Sequence, residues 1–176
     1  MHDREEPHGP VRFRIPEPER RDRILALDLA LRCGWAVGEQ NGTVLESGTQ
    51  DFNARRGESP GLRYLHFRHW LEGLLSGGHG IGLVVFEMPH LRGGAAATLL
   101  TGLQTRIEEL CAIAGGIEHA PVHTSTLKKF ATGNGGASKE AMIAAARVVL
   151  GREPVDDNEA DAVHILRWAA KEYGKA

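Results

Sequence analysis

Two carboxylates stand where charge is expensive. Asp28 lies in the apolar run Ile24-Leu25-Ala26-Leu27-Asp28-Leu29, and Glu87 ends a second run, Gly82-Leu83-Val84-Val85-Phe86-Glu87. Removing an ion from water inside a buried strand costs on the order of several kcal/mol unless it is paired, hydrogen-bonded or bound to a cation. A third acidic segment, Asp156-Asp157-Asn158-Glu159-Ala160-Asp161, opens the apolar-patterned stretch Ala162 to Tyr173. On a helix, Asp157 lies about 40° and Asn158 about 60° from Asp161, on opposite sides, while Glu159 lies about 160° away. Asp157, Asn158 and Asp161 therefore share a face; Glu159 points elsewhere and reads as the N3 partner of an Asp156 cap. Taken singly, these acids have plainer explanations. Asp28 could accept hydrogen bonds from its following turn, Glu87 could emerge into solvent, and the C-terminal acids could meet a helix dipole. Together, oxygen-rich side chains from distant segments suit Mg²⁺ or Mn²⁺ rather than zinc. Two such ions about 4 Å apart can activate water and stabilise the leaving oxygen of an in-line displacement. The chemistry indicated is metal-dependent phosphodiester hydrolysis, that of a nuclease.

The elements that must position these groups are legible from pattern. Buried-type strands are expected at Ile24 to Leu29, Gly34 to Gly38 and Thr43 to Ser47, with the Gln40-Asn41-Gly42 turn making an antiparallel hairpin of the second and third. Leu62, Leu65, His66, His69, Trp70 and Leu74 recur at helical spacing, and Gly77-Gly78 ends that helix. Ile81 to Glu87 is a fourth strand. The Ala-rich segment Ala95 to Ala114 carries Leu99, Leu103, Ile107, Leu110 and Ala114 on one helical stripe and stops at Gly115-Gly116. Pro121-Val122-His123 closes a fifth strand. Helices follow over Ser125 to Phe130, Ser138 to Leu150 and Asn158 to Tyr173, with Ser125 or Thr124, Ser138 and Asp156 as N-caps. The order predicts an α/β fold: a five-stranded mixed sheet, a three-strand antiparallel meander plus two parallel strands, flanked by helices. A strand reached by a helical crossover can lie parallel beside the central first strand, making Asp28 and Glu87 neighbours at the strand ends where open α/β sheets place ligands.

Composition limits the alternatives. The 176 residues suit one domain, 41% hydrophobic and 25% charged residues fit a globular protein, and no apolar run has membrane-span length. The first 23 residues hold six Arg against six Asp or Glu and are broken by Pro7, Pro10, Pro16 and Pro18; residues 1–23 are expected to be a disordered tail, with the domain spanning 24–176. Without a secretion signal or metal-ligand spacing, Cys33 and Cys111 are expected to be reduced, in a cytoplasmic compartment. The net charge of -2 argues weakly against a nucleic-acid partner, but it conceals a segregation. Pro121 to Arg152 holds five basic residues and one acid, whereas Glu153 to Ala176 holds six acids and three bases. That layout suits an enzyme gripping phosphates with one surface and metal with another, and equally a solvated helix face.

Over Arg23 to Tyr173 the chain resembles the RuvC-type Holliday junction resolvases, particularly their phage and prophage relatives, within the ribonuclease H-like superfamily. The resemblance is carried by Ile24 to Leu29 with Gly34-Trp35-Ala36, Val84-Val85-Phe86-Glu87, Ala131-Thr132-Gly133-Asn134-Gly135-Gly136-Ala137-Ser138-Lys139, and Asp157-Asn158-Glu159-Ala160-Asp161-Ala162. It implies a bacterial enzyme, host- or phage-encoded. It further implies a homodimer that binds four-way junction DNA and nicks two strands of like polarity, leaving 5′-phosphates and using Mg²⁺ with Mn²⁺ as substitute. Asp28, Glu87 and Asp161 match the family's metal-binding acids. The family commonly has an acid or histidine where this chain has Asn158; Asp157, one residue earlier, or Asn158 then completes the site, with His164 a further candidate that reads first as a satisfied helix histidine.

Lys139 matches the lysine after the family's glycine-rich turn and is expected near the scissile phosphate. The turn itself, Gly133 to Gly136, could hold a phosphate through backbone amides or be a plain connector. Lys128 and Lys129 are expected phosphate contacts, with Arg92 and Arg106 weaker ones. Met88-Pro89-His90-Leu91 stands where the family often has an apolar wedge, so His90 or Leu91 could serve at the junction centre. Competing readings are a sugar kinase or actin-like ATP-binding protein, disfavoured because one copy of the fold does not enclose nucleotide, a noncatalytic junction-binding module, and ribonuclease H activity on RNA·DNA hybrids.

Overall fold

Strand alternation divides the molecule into two differently built faces. In β1 (Arg23–Asp28), Leu25 and Leu27 enter one apolar cluster and Ile24 and Ala26 another, which puts Asp28 on the side of Ile24 and Ala26. In β2 (Arg32–Glu39), Cys33, Trp35 and Val37 join the first cluster, whereas Gly34, Ala36 and Gly38 line the second side. The computed structural model describes residues 21–88 and 94–174. The strand order is β3-β2-β1-β4-β5, with β3 (Val44–Asp51), β4 (Ile81–Glu87) and β5 (Glu118–Val122). β1 pairs antiparallel with β2 and parallel with β4, as the sequence pattern predicts. The Asn41-Gly42 turn joins β2 to β3, Gly42 adopting φ 88°.

Two helices, α1 (Leu62–Ser76) and α2 (Gly94–Ile113), cover the large-residue face. Their core includes Phe67, Leu71, Leu103, Ile107 and Leu110, with an aromatic group in which Phe52 lies 5.3 Å from Phe67 and 5.4 Å from Trp70, ring centre to ring centre. The expected α1 stripe is borne out only in part: Trp70 and Leu74 pack against this core, but the centre of the buried face lies elsewhere. Phe67 and Leu71 are buried, whereas Leu65, His66 and His69 are exposed, because the core-facing sector is set by Phe52 and α2 rather than by the helix's own Leu and His spacing. Three helices, α3 (Thr124–Thr132), α4 (Lys139–Leu150) and α5 (Asp157–Tyr173), cover the other face. Small residues there, Ala26, Ala36, Ala160, Ala162 and Ala169, let α5 lie close over β1 and β2. No helix of the described residues is long and apolar enough to cross a membrane.

Most element bounds agree with the pattern to within a residue or two. β5 starts earlier, at Glu118, because its pairing with β4 follows register rather than apolar content. Arg23 opens β1, and Arg21 Nη2 donates to Ala114 O at 2.7 Å, so ordered contacts begin inside the segment assigned to the tail. Residues 1–20 of that segment lie outside the described residues.

Candidate active site

Asp28 and Glu87 are set side by side by the sheet. The parallel register pairs Leu27 with Phe86, and its next step brings the two acids together at the carboxyl ends of β1 and β4. Alternation puts both on the face covered by α5. Across β1, Asp28 pairs with Gly34 of β2, and a Cβ on Gly34 would lie 1.9 Å from Asn158 O. Only glycine lets the first turn of α5 rest there. That contact brings Asp157 and Asp161 over Asp28. Asp156 caps α5, its Oδ1 accepting from Glu159 N at 3.1 Å, and its Oδ2 accepts from Arg32 Nε of β2 at 2.6 Å.

The electrostatics report the assembly. Burial, then the charges of Asp161, Glu87, Asp157 and Asp156, hold the Asp28 carboxyl well above the usual carboxylate range. Burial, with Glu87 and Asp157, pushes Asp161 up to about 6, while Lys128 and Lys139 pull it down. Asp28, Glu87, Asp157 and Asp161 thus share one field, and Lys128 and Lys139 enter it. Lys139 Nζ lies 2.6 Å from Asp157 Oδ2, a bond that raises the lysine's pKa. Thr124 Oγ1 donates to Glu87 Oε1.

This donor set fits a hard divalent cation: carboxylate oxygens whose mutual repulsion an ion would relieve. The acids are gathered but not closed into a cage. Among the described residues no three His, Cys, Asp or Glu side chains are close enough to grip one ion as they stand. Asp157 is turned to Lys139 and Glu87 to Thr124, and the exposed Lys139 pair is of a kind that exchanges readily. The four acids are half-buried, and none lines the groove of about 960 Å³ beside the β2–β3 hairpin, formed by Trp35, Ser47, Val149, Arg152 and Arg167.

The other candidates separate. His164 is buried, with Nε2 2.9 Å from Met142 O, and burial lowers its pKa; it ties α5 to α4 and is a neutral, satisfied helix histidine. Asn158 packs its backbone on Gly34, whereas Asp157 contributes charge to Asp28 and Asp161. Lys129 is exposed on α3. Arg106 stacks over the Tyr64 ring at 5.2 Å and bonds Gly102 O, which makes it part of the α1–α2 packing. In the Gly133 to Gly136 turn, the amides of Gly133, Asn134 and Gly136 bond within the α3–turn segment, as does that of Ala137, which favours the connector reading. His90, Leu91 and Arg92 lie outside the described residues.

Two local expectations are corrected. The α3 cap is His123 without a side-chain bond; Thr124 is the first helical residue, and its hydroxyl serves Glu87 instead. Glu159 does not close a capping box onto Asp156, because its side chain is drawn to Ser47, Arg152 and Val155 N. Thr124 and the Arg152–Glu159 pair are contributors that sequence reasoning missed. Neither carries a local signal, since each partner lies in a different element.

Comparison with solved structures bears on the fold. A Thermus thermophilus RuvC structure superposes with a TM-score of 0.70 at 19% identity, covering 84% of this chain and 93% of that one. The fold is RuvC-type. T. thermophilus RuvC in complex with a Holliday junction substrate gives a TM-score of 0.71 at 19% identity, covering 85% and 94%. The same ribonuclease H-like sheet, three antiparallel strands and two parallel, is common to both. No protein-family model and no curated protein sequence matches the chain.

Proposed function

We propose that this protein is a divalent-metal-dependent endonuclease that resolves four-way DNA junctions. The observation that carries the reading is the shared field of Asp28, Glu87, Asp157 and Asp161 at the strand ends of a RuvC-type sheet. The similarity to a RuvC solved with junction DNA supports the substrate class. In this reading Asp28, Glu87, Asp157 and Asp161 hold Mg²⁺, with Mn²⁺ substituting, as a two-ion site. When bound, the ions supply an activated water and stabilisation of the leaving oxygen. The chain's own groups do the rest. Thr124 orients Glu87, and Gly34 lets α5 present Asp157 and Asp161 to Asp28. Lys128 and Lys139 bring positive charge to the rim of the acids, where Lys139 exchanges Asp157 for a DNA phosphate. Lys129, His90 and Arg92 are proposed as further DNA contacts. Two equivalent nicks, each leaving a 5′-phosphate, require two related sites, hence a homodimer.

The test is Asp28→Asn, assayed on a mobile four-way junction, a fork, a linear duplex and an RNA·DNA hybrid. Junction binding is expected to persist while Mg²⁺-dependent nicking falls to background. Undiminished nicking by Asp28→Asn overturns the metal mechanism, and preferential cleavage of the hybrid by the unaltered protein moves the substrate to ribonuclease H chemistry.

A further inference from the structure

Glu159 carries a charge that is 0% exposed, on the helix that presents Asp157 and Asp161. Its Oε1 accepts from Arg152 Nη2 at 2.6 Å and Ser47 Oγ at 2.7 Å; its Oε2 accepts from Arg152 Nη1 at 3.2 Å and from Val155 N. Arg152 Nη2 also donates to Ser47 Oγ at 3.1 Å. The donors come from β3, from the segment joining α4 to α5, and from the residue preceding the α5 cap. A buried ion pair is poor evidence of stability, since well-packed apolar side chains often do as well. What a guanidinium fork on a carboxylate does supply is direction, because its two parallel bonds fix the orientation of both planes.

That direction matters at this position. Glu159 lies between Asp157 and Asp161 in sequence and about 160° around the helix from Asp161. The fork therefore grips the rear of the turn whose front carries the acids. At the front, the strand ends of β1 and β4 and the first turn of α5 gather four carboxylates, Asp28, Glu87, Asp157 and Asp161, and like charges held together repel. Repulsion pushes the first turn of α5 off β1, and helix first turns are held by few backbone bonds of their own. The rear clamp opposes that push.

We propose that Arg152, acting through Glu159, is a positioning residue that holds the first turn of α5 against β1 and so presets Asp157 and Asp161 for a divalent cation. The inference rests on the metal-site reading of the four acids. Arg152 bonds Glu159, Ser47 and Glu153 O, not the acids at the front of the turn; its effect passes along the helix.

Mn²⁺ binding to the full-length protein, measured by calorimetry well below the melting temperature, separates positioning from stability. Arg152→Ala is expected to weaken Mn²⁺ binding about tenfold, the effect typical of groups that orient ligands. Arg152→Lys, which keeps the charge but loses the fork, and Ser47→Ala should fall between it and the unaltered protein. In the junction assay, raised Mg²⁺ should restore most of the Arg152→Ala nicking rate. An Arg152→Ala protein that melts lower yet binds Mn²⁺ with unaltered affinity overturns the proposal. If that variant does not fold, equal affinities for Arg152→Lys, Ser47→Ala and the unaltered protein do the same. An unaltered protein that binds Mn²⁺ but cuts no DNA removes the nuclease reading and leaves the clamp to be decided by the affinities. One that binds no Mn²⁺ overturns both.

Discussion

The two faces of the sheet are made of different materials. Towards α1 and α2, β1 and β2 present Leu25, Leu27, Cys33, Trp35 and Val37, and Phe52, Phe67 and Trp70 fill the space with edge-on rings. Towards α5 the same strands present Ala26, Gly34, Ala36 and Gly38, and the acids stand at their ends. Large side chains give buried area, and with it cohesion. Small ones give proximity, letting a helix backbone come within reach of strand-end carboxylates. The wall of bulk on one side secures a sheet whose other side gathers repelling charge.

The comparison breaks most violently at Gly34. In Gly34→Val the new side chain meets the Asn158 backbone, which cannot rotate aside, so the loss should exceed the ~1–3 kcal/mol usual for an overpacked core. Nicking should fall to background and Mn²⁺ binding be lost; a variant retaining both would mean that α5 is not held at β2. Phe67→Ala sharpens the contrast from the opposite face. Denaturant titration should show a loss of about 3–5 kcal/mol for this buried ring, with Mn²⁺ affinity unchanged in the folded protein. An affinity change would show that packing on the large-residue face also sets the acid geometry.

A smaller effect tests the charge on the α5 side. Asp161 titrates at about 6 in the folded protein, above its usual value of 3.8, so its ionised form opposes folding. The stability associated with the protonated form is complete below the unfolded pKa and lost as pH rises through the folded one. Metal-free Asp161→Asn should therefore be more stable than the unaltered protein at pH 7.5, by about 3 kcal/mol. The advantage should shrink as pH falls below about 6. His164, whose pKa is lowered by burial, contributes the opposite trend, but it is present in both proteins and drops out of the difference. Equal melting temperatures across that range would show that Asp161 bears no such repulsion.

What could be read without coordinates follows the range of the forces. Asp28 and Glu87 declared themselves because a charge in an apolar run is anomalous within six residues of sequence, and the hairpin at Asn41-Gly42 because its turn chemistry is local. Asp157 and Asp161 followed from helical geometry, and the Ser138 and Asp156 caps from residue type. Glu159 was placed off the acid face for the right geometric reason, yet its partners Ser47 and Arg152 lie in other elements, and nothing in its own turn names them. Thr124 was mistaken for a cap because a threonine before a helix looks the same whether its hydroxyl serves the helix or Glu87 on a neighbouring strand. On α1 the spacing found Trp70 and Leu74 but took in His66 and His69 and passed over Phe67, which lies between them and is buried.

The topology also dictates when the acid cluster can exist. Asp28 ends the first strand of the described chain, and α5, which supplies Asp157 and Asp161, is its last element. Contacts between such distant segments close late, because the intervening loop must first be brought into order. During synthesis all five strands and the two helices of the large-residue face are made before α5. Until α5 is made, the chain holds only half of the acids, Asp28 and Glu87. Emergence of α5 therefore does two things at once: it completes the small-residue face over β1 and β2, and it brings in the second half of the acid cluster.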